Sequence, residues 1–136
     1  MIKDFIPHPY EGPNPLPSYA TTDVTEYTLL GTVQGGYVIT LAKLTIGDSV
    51  SAGNPLTHAL FESFTDHGER MSVARTRVSG FDREFTAVKN AMFAAGVEFT
   101  SSPPCSSEEI LNAFGEWFMS RNSEIVSCSV VSQTCH

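Results

Sequence analysis

Histidine stands beside carboxylates at one place in the chain, Asp66-His67-Gly68-Glu69, with His58 nine residues upstream. One imidazole with two carboxylates can ligate a metal or exchange a proton near neutral pH. The same residue types also make a tight turn, because glycine adopts positive φ and aspartate hydrogen-bonds its own backbone. A turn is the expected role. Metal-dependent or acid–base chemistry through Asp66, His67 and Glu69 is the alternative.

Arg75 and Arg77 form a second candidate pair. On an extended strand, residues two apart share a face, so the two guanidinium groups can grip a phosphate or carboxylate together. Ion pairing with some of the fifteen acids is the plainer use. Cys105 precedes a helical pattern, where a thiolate is stabilised, but no histidine lies near it in sequence. Cys128 and Cys135 can bridge or remain free, and three cysteines make no even framework. Free thiols in a reducing cytoplasm are the expectation. Gly35-Gly36 has no lysine partner, and neither G-x-S-x-G nor H-E-x-x-H occurs, so no cofactor or metal is expected.

The formal charge of -7 opposes general affinity for nucleic acid, which requires neutralising cations. Residues 1–69 carry a net -6, residues 70–97 a net +3 and residues 98–136 a net -4. The basic middle consists of Arg70, Arg75, Arg77, Arg83 and Lys89 against Asp82 and Glu84. No stretch approaches the roughly 20 apolar residues that span a bilayer, and the N-terminus shows no signal-peptide pattern. A membrane is not expected.

The elements follow from hydrophobic spacing. At 136 residues, one domain is expected, preceded by a proline-rich arm over about 1–22. Pro7, Pro9, Pro13, Pro15 and Pro17 force that arm to run extended. Residues 25–33 and 37–44 read as a hairpin turning at Gln34-Gly35-Gly36, the second strand apolar on both faces and therefore central. Residues 47–55 read as loop, 56–64 as helix or strand, and 70–78 as a strand with Arg75 and Arg77 on one face.

A helix is expected after Asp82 as N-cap, with Phe81, Phe85, Val88, Met92 and Ala95 on one stripe and Gly96 ending it. Val97-Glu98-Phe99 suits a short strand. Ser106 to Glu109 forms a capping box before a second helix with Ile110, Leu111, Phe114, Trp117 and Phe118 inward. Residues 125–131 read as a last strand, with 133–136 frayed. The fold class is α+β, a mainly antiparallel sheet of four to five strands with two helices on one face, as a two-layer sandwich.

The segment 70–97, with Gly80-Phe81-Asp82-Arg83 leading into a helix carrying Ala87, Ala91, Ala94 and Ala95, resembles a module of small phage and plasmid proteins. The resemblance covers about a fifth of the chain and implies a mobile-element protein, often an inhibitor of a host defence complex such as CRISPR interference or restriction. The expected function is a non-enzymatic protein-binding domain with an acidic surface that meets a basic nucleic-acid-binding partner. Asp48, Glu62, Asp66, Glu108, Glu109 and Glu116 are its candidate contacts, because each falls on an expected exposed face or loop. A structural homo-oligomer, its proline arm reaching a neighbour, is the remaining alternative.

Overall fold

A computed structural model of the chain describes residues 2–5, 24–65, 67–99 and 105–135, so the five prolines of the arm lie outside the described residues, while residues 2–5 at its start form a strand. The main sheet begins with β2 (Val24–Val33) and β3 (Val38–Ser51), after a short β1 (Ile2–Phe5). The β2–β3 turn closes through Val33 N–H to Tyr37 O at 2.8 Å and Gly36 N–H to Val33 O at 3.0 Å. Gly35 and Gly36 both hold positive φ there, as the turn requires.

Residues 47–55 are not a loop. β3 continues to Ser51, and β4 (Asn54–Phe64) departs at once, paired from Ser51↔Asn54 to Ala42↔Ser63. Ala52 (φ 52) and Gly53 (φ 81) alone reverse the chain. Two residues with positive φ match the strand twist, so the polar residues on either side are left to pair as strand. Composition suggested a loop because Gly47, Asp48, Ser49 and Pro55 are turn formers, yet the ladder claims all four. The ambiguous 56–64 segment is accordingly strand.

β5 (Arg70–Ser79) pairs with β4, and β7 (Ile125–Cys135) returns beside β2. The sheet is antiparallel in the order β5-β4-β3-β2-β7, with the apolar β3 in the middle. Gln133, Thr134 and Cys135 do not fray but pair with Glu26, Thr25 and Val24, and Thr25 Oγ1 lies 3.2 Å from Thr134 Oγ1; His136 lies outside the described residues. Cys128 and Cys135 are seven residues apart on this one strand. At about 3.3 Å per residue that is roughly 23 Å, far beyond the reach of a disulfide. Cys128 is a free thiol.

Two helices cover one face. α1 (Arg83–Ala94) packs on β4 and β5, and α2 (Ser107–Arg121) on β7 and β2. β6 (Val97–Phe99) pairs with β1 in a separate two-stranded sheet. The α2 start is as expected, with Ser106 Oγ accepting from Glu109 N–H at 3.1 Å. The α1 start is different. Asp82 sits in the left-handed region (φ 54) and makes no side-chain cap bond, while Gly80 (φ 97) turns the chain just before it. That double reversal leaves Phe81 94% exposed instead of stapled to the strand. The rest of the stripe holds: Val88, Met92 and Ala95 are buried with Ala87 and Ala91.

The core is fastened at Phe114. Its ring stands edge-on to Phe61 of β4 at 5.5 Å and to Phe5 of β1 at 5.1 Å, and touches Phe118 at 5.5 Å. One turn of α2 comes unusually close to the sheet, where a Cβ on Gly115 would meet Cys128 Cβ and Leu29 Cδ1 at 3.1 Å. Replacing Phe114 by Ala should cost about 3–5 kcal/mol, the range for truncating a buried aromatic. Phe81→Ala should stay within about 0.5 kcal/mol, as for an exposed side chain. Urea denaturation of both variants checks the contrast, and a large loss in Phe81→Ala would contradict the exposed corner.

Candidate functional site

The Asp-His-Gly-Glu segment makes the β4–β5 turn. Thr65 Oγ1 accepts from the backbone N–H groups of His67 (3.2 Å) and Glu69 (3.1 Å), and Gly68 N–H donates to Thr65 O at 3.0 Å. His67 and Glu69 are exposed, and Asp66 lies outside the described residues. His58 is six residues back from the end of β4, paired with Gly47 and Arg77. That is roughly 20 Å along an extended strand, so the two histidines do not converge. Among the described residues, no group of three or more His, Cys, Asp or Glu side chains is placed to hold a metal ion.

The sheet face away from the helices carries a row of charges across four strands. Lys43 Nζ reaches Glu26 Oε1 at 3.8 Å, Lys43 stands opposite Glu62 in the ladder, and Arg70 Nε reaches Glu62 Oε2 at 3.0 Å. Glu62 is only 5% exposed. The expectation that it lies on an open face is thus corrected: β4 has neighbours on both sides, whose side chains shield the carboxylate and pair with it. Burial raises the Glu62 carboxyl above its ordinary range, against the pull of Arg70 and Lys43.

On the same face His58 hydrogen-bonds Ser49 Oγ through Nε2. Burial, then the Arg77 guanidinium, push its imidazole below the ordinary value, with Asp48 opposing. Asp48 is half-buried and accepts from Thr57 Oγ1 at 2.8 Å, so it too is partly committed inside the domain. Arg75 and Arg77 are exposed on the edge strand β5, on one face as expected.

The acids of α2 are placed differently. Glu108, Glu109 and Glu116 are all exposed. Positions 108, 112 and 116 fall one turn apart on a helix, with 109 alongside, so they form one outward stripe. None of the three makes an ion pair among the described residues. The helix's cation, Arg121, lies 4.2 Å over the Trp117 ring at the far end. The reason for the orientation is Phe114, which with Ile110 and Leu111 turns the opposite side of α2 onto the sheet.

Sequence reasoning missed one acid beside this surface. Glu84, in the first turn of α1, accepts from Ser107 Oγ at 3.2 Å, joining the starts of the two helices. Tyr27 registers their combined field: its hydroxyl is pushed up by burial first, then by Glu84 and Glu108. Capping preference was the available signal, since each helix carries glutamate in its first turn. Beyond the other end of α2, an open cleft of about 850 Å³ is lined by Tyr37, Ile39, Phe64, Met71, Phe118 and Glu124. Tyr37 is 73% and Val38 60% exposed there.

Comparison with known proteins finds no match to this chain among protein-family models, curated proteins or solved structures.

Glu62 gives this geometry a measurable pH signature. A carboxyl raised in the folded chain holds its proton more tightly there than when unfolded. Its contribution to stability is therefore full below the ordinary carboxylate range and is lost as pH rises towards the raised value. Subtracting the stability of Glu62→Gln from that of the parent chain should give a difference that falls as pH rises from acid towards neutral. Urea titrations across that range measure it, and parallel profiles would contradict a buried, raised carboxyl.

Proposed function

We propose that the chain is a non-enzymatic protein-binding domain whose acidic helical surface docks onto a basic, nucleic-acid-binding partner. The observation that carries this reading is the outward stripe of Glu108, Glu109 and Glu116, exposed together and without ion pairs among the described residues. Carboxylates with internal partners are spent on the domain itself, as the buried Glu62 is on Arg70. Those of α2 remain available to an outside cation.

Physical scale supports a protein partner. α2 has 15 residues and is about 22 Å long, which suits a continuous docking edge. Charge alone gives rate and orientation more than affinity, and interfaces draw affinity from apolar anchors ringed by polar groups. Tyr37 and Val38, exposed at the cleft beyond the C-terminal end of α2, supply such anchors. With a net charge of -7 the domain repels nucleic acid, so it competes for a basic groove rather than joining nucleic acid in it. Competition of that kind is how a mobile-element inhibitor of a CRISPR or restriction complex would act, the role implied by the resemblance at Gly80-Phe81-Asp82-Arg83.

The test is affinity capture from bacterial lysates carrying different defence systems, with the parent chain and Glu108→Lys/Glu109→Lys as baits. The parent should retain a nucleic-acid-binding protein that rising salt releases. The double variant should bind it at least about tenfold more weakly, the scale of roughly 1.4 kcal/mol. Equal capture by both baits would remove α2 from the interface and overturn the reading.

A further inference from the structure

The two edges of the main sheet are built differently. β5, at one edge, carries Arg70, Arg75 and Arg77 along its length. Charged side chains, prolines and bulges are the means by which an edge strand is kept from pairing with another chain. β7, at the other edge, lacks the first two altogether: Ile125–Cys135 holds no charged residue and no proline. Its one register shift against β2 falls at the start, between Thr32 and Val33 of that neighbour, and the ladder is then unbroken from Ser127 to Cys135. Among the described residues no strand lies beyond it. We propose that the outer edge of β7 pairs antiparallel with β7 of a second copy of this chain, merging two five-stranded sheets about a two-fold axis. The inference is independent of the protein-binding surface on α2.

An open edge leaves the N–H and C=O groups of alternate residues without a ladder partner, and an added strand satisfies them. Three features favour a second copy as that strand. The first is charge. The chain carries -7, yet β7 is neutral throughout, so it meets itself without setting like charges opposite one another. The same pairing at β5 would bring its own arginines together.

The second feature is the strand's composition. A two-fold axis at Val130 sets Cys128 opposite Ser132, Ser129 opposite Val131 and Ser127 opposite Gln133. Nearly all of these are small side chains, and Val131, 49% exposed at this edge, gains a neighbour. The third feature is α2, which packs over β7 and β2. A two-fold axis through the sheet runs its two copies antiparallel. The first turn of each, with Glu108 and Glu109, is then directed towards the end of the other that carries Arg121. Opposed helix dipoles and opposite charges both favour that arrangement.

Light scattering after size exclusion, on the full chain over a range of loading concentrations, tests the proposal. The parent should approach twice the monomer mass as concentration rises. Ser129→Lys/Val131→Lys should raise the dissociation constant by about tenfold or more, because lysines of the two copies then face each other across the new ladder. Both positions are exposed, and urea denaturation verifies that the double variant keeps its fold. Hydrogen exchange of the parent should slow along residues 127–135 as the dimer forms. A monomer at every concentration overturns the proposal. So does a dimer that the double variant leaves intact, or one in which exchange slows on another element instead.

Discussion

The contact on which the rest of this structure depends is the seating of Phe114 between Phe61 and Phe5. It joins α2, the central part of the sheet and the first strand of the chain in one aromatic cluster. A helix fixed by one buried stripe has no rotational choice left, so every outward residue of α2 is determined by that seat. The acidity of the surface and the position of the hydrophobic core are therefore two consequences of one packing event. Gly115 reinforces it, since only a residue without a side chain lets the helix approach Cys128 and Leu29 so closely.

Covering one face of a sheet leaves the other to satisfy itself. Here the second face does so with a row of alternating charges, Glu26, Lys43, Glu62 and Arg70, and with the His58–Ser49 contact. Such a row supplies little net stability, because desolvation offsets most of the attraction. Its larger effect is on register: a one-residue slip of β4 would carry Glu62 into the apolar layer and Phe61 out of it. Charges used in this way are unavailable for binding, which is why the molecule's two faces differ in kind as well as in composition.

Much of the fold was legible because the decisive signals are local. The capping box at Ser106, the two-sided apolar run of β3 and the helical stripes of α1 and α2 each declare an element within a few residues. The errors arose where a tertiary partner outweighed composition. Asp48 and Ser49 look like loop residues until β4 pairs with them, and Gln133 to Cys135 look frayed until β2 does. Asp82 does occupy the N-cap position, but its backbone, following the reversal at Gly80, lies in the left-handed region and its side chain makes no cap bond. The candidate site divides in the same way. Glu108, Glu109 and Glu116 follow from helical spacing, whereas the burial of Glu62 depends on which strands become neighbours.

Acidic domains that bind basic partners act either as bridges or as competitors, and the two differ in what becomes of the nucleic acid. The most direct measurement is therefore a displacement titration: the captured partner, loaded with a fluorescent nucleic acid, receives increasing amounts of this protein while anisotropy is followed. The account predicts stoichiometric release of the nucleic acid, less effective as salt rises. Nucleic acid that stays bound in a three-component complex would contradict it.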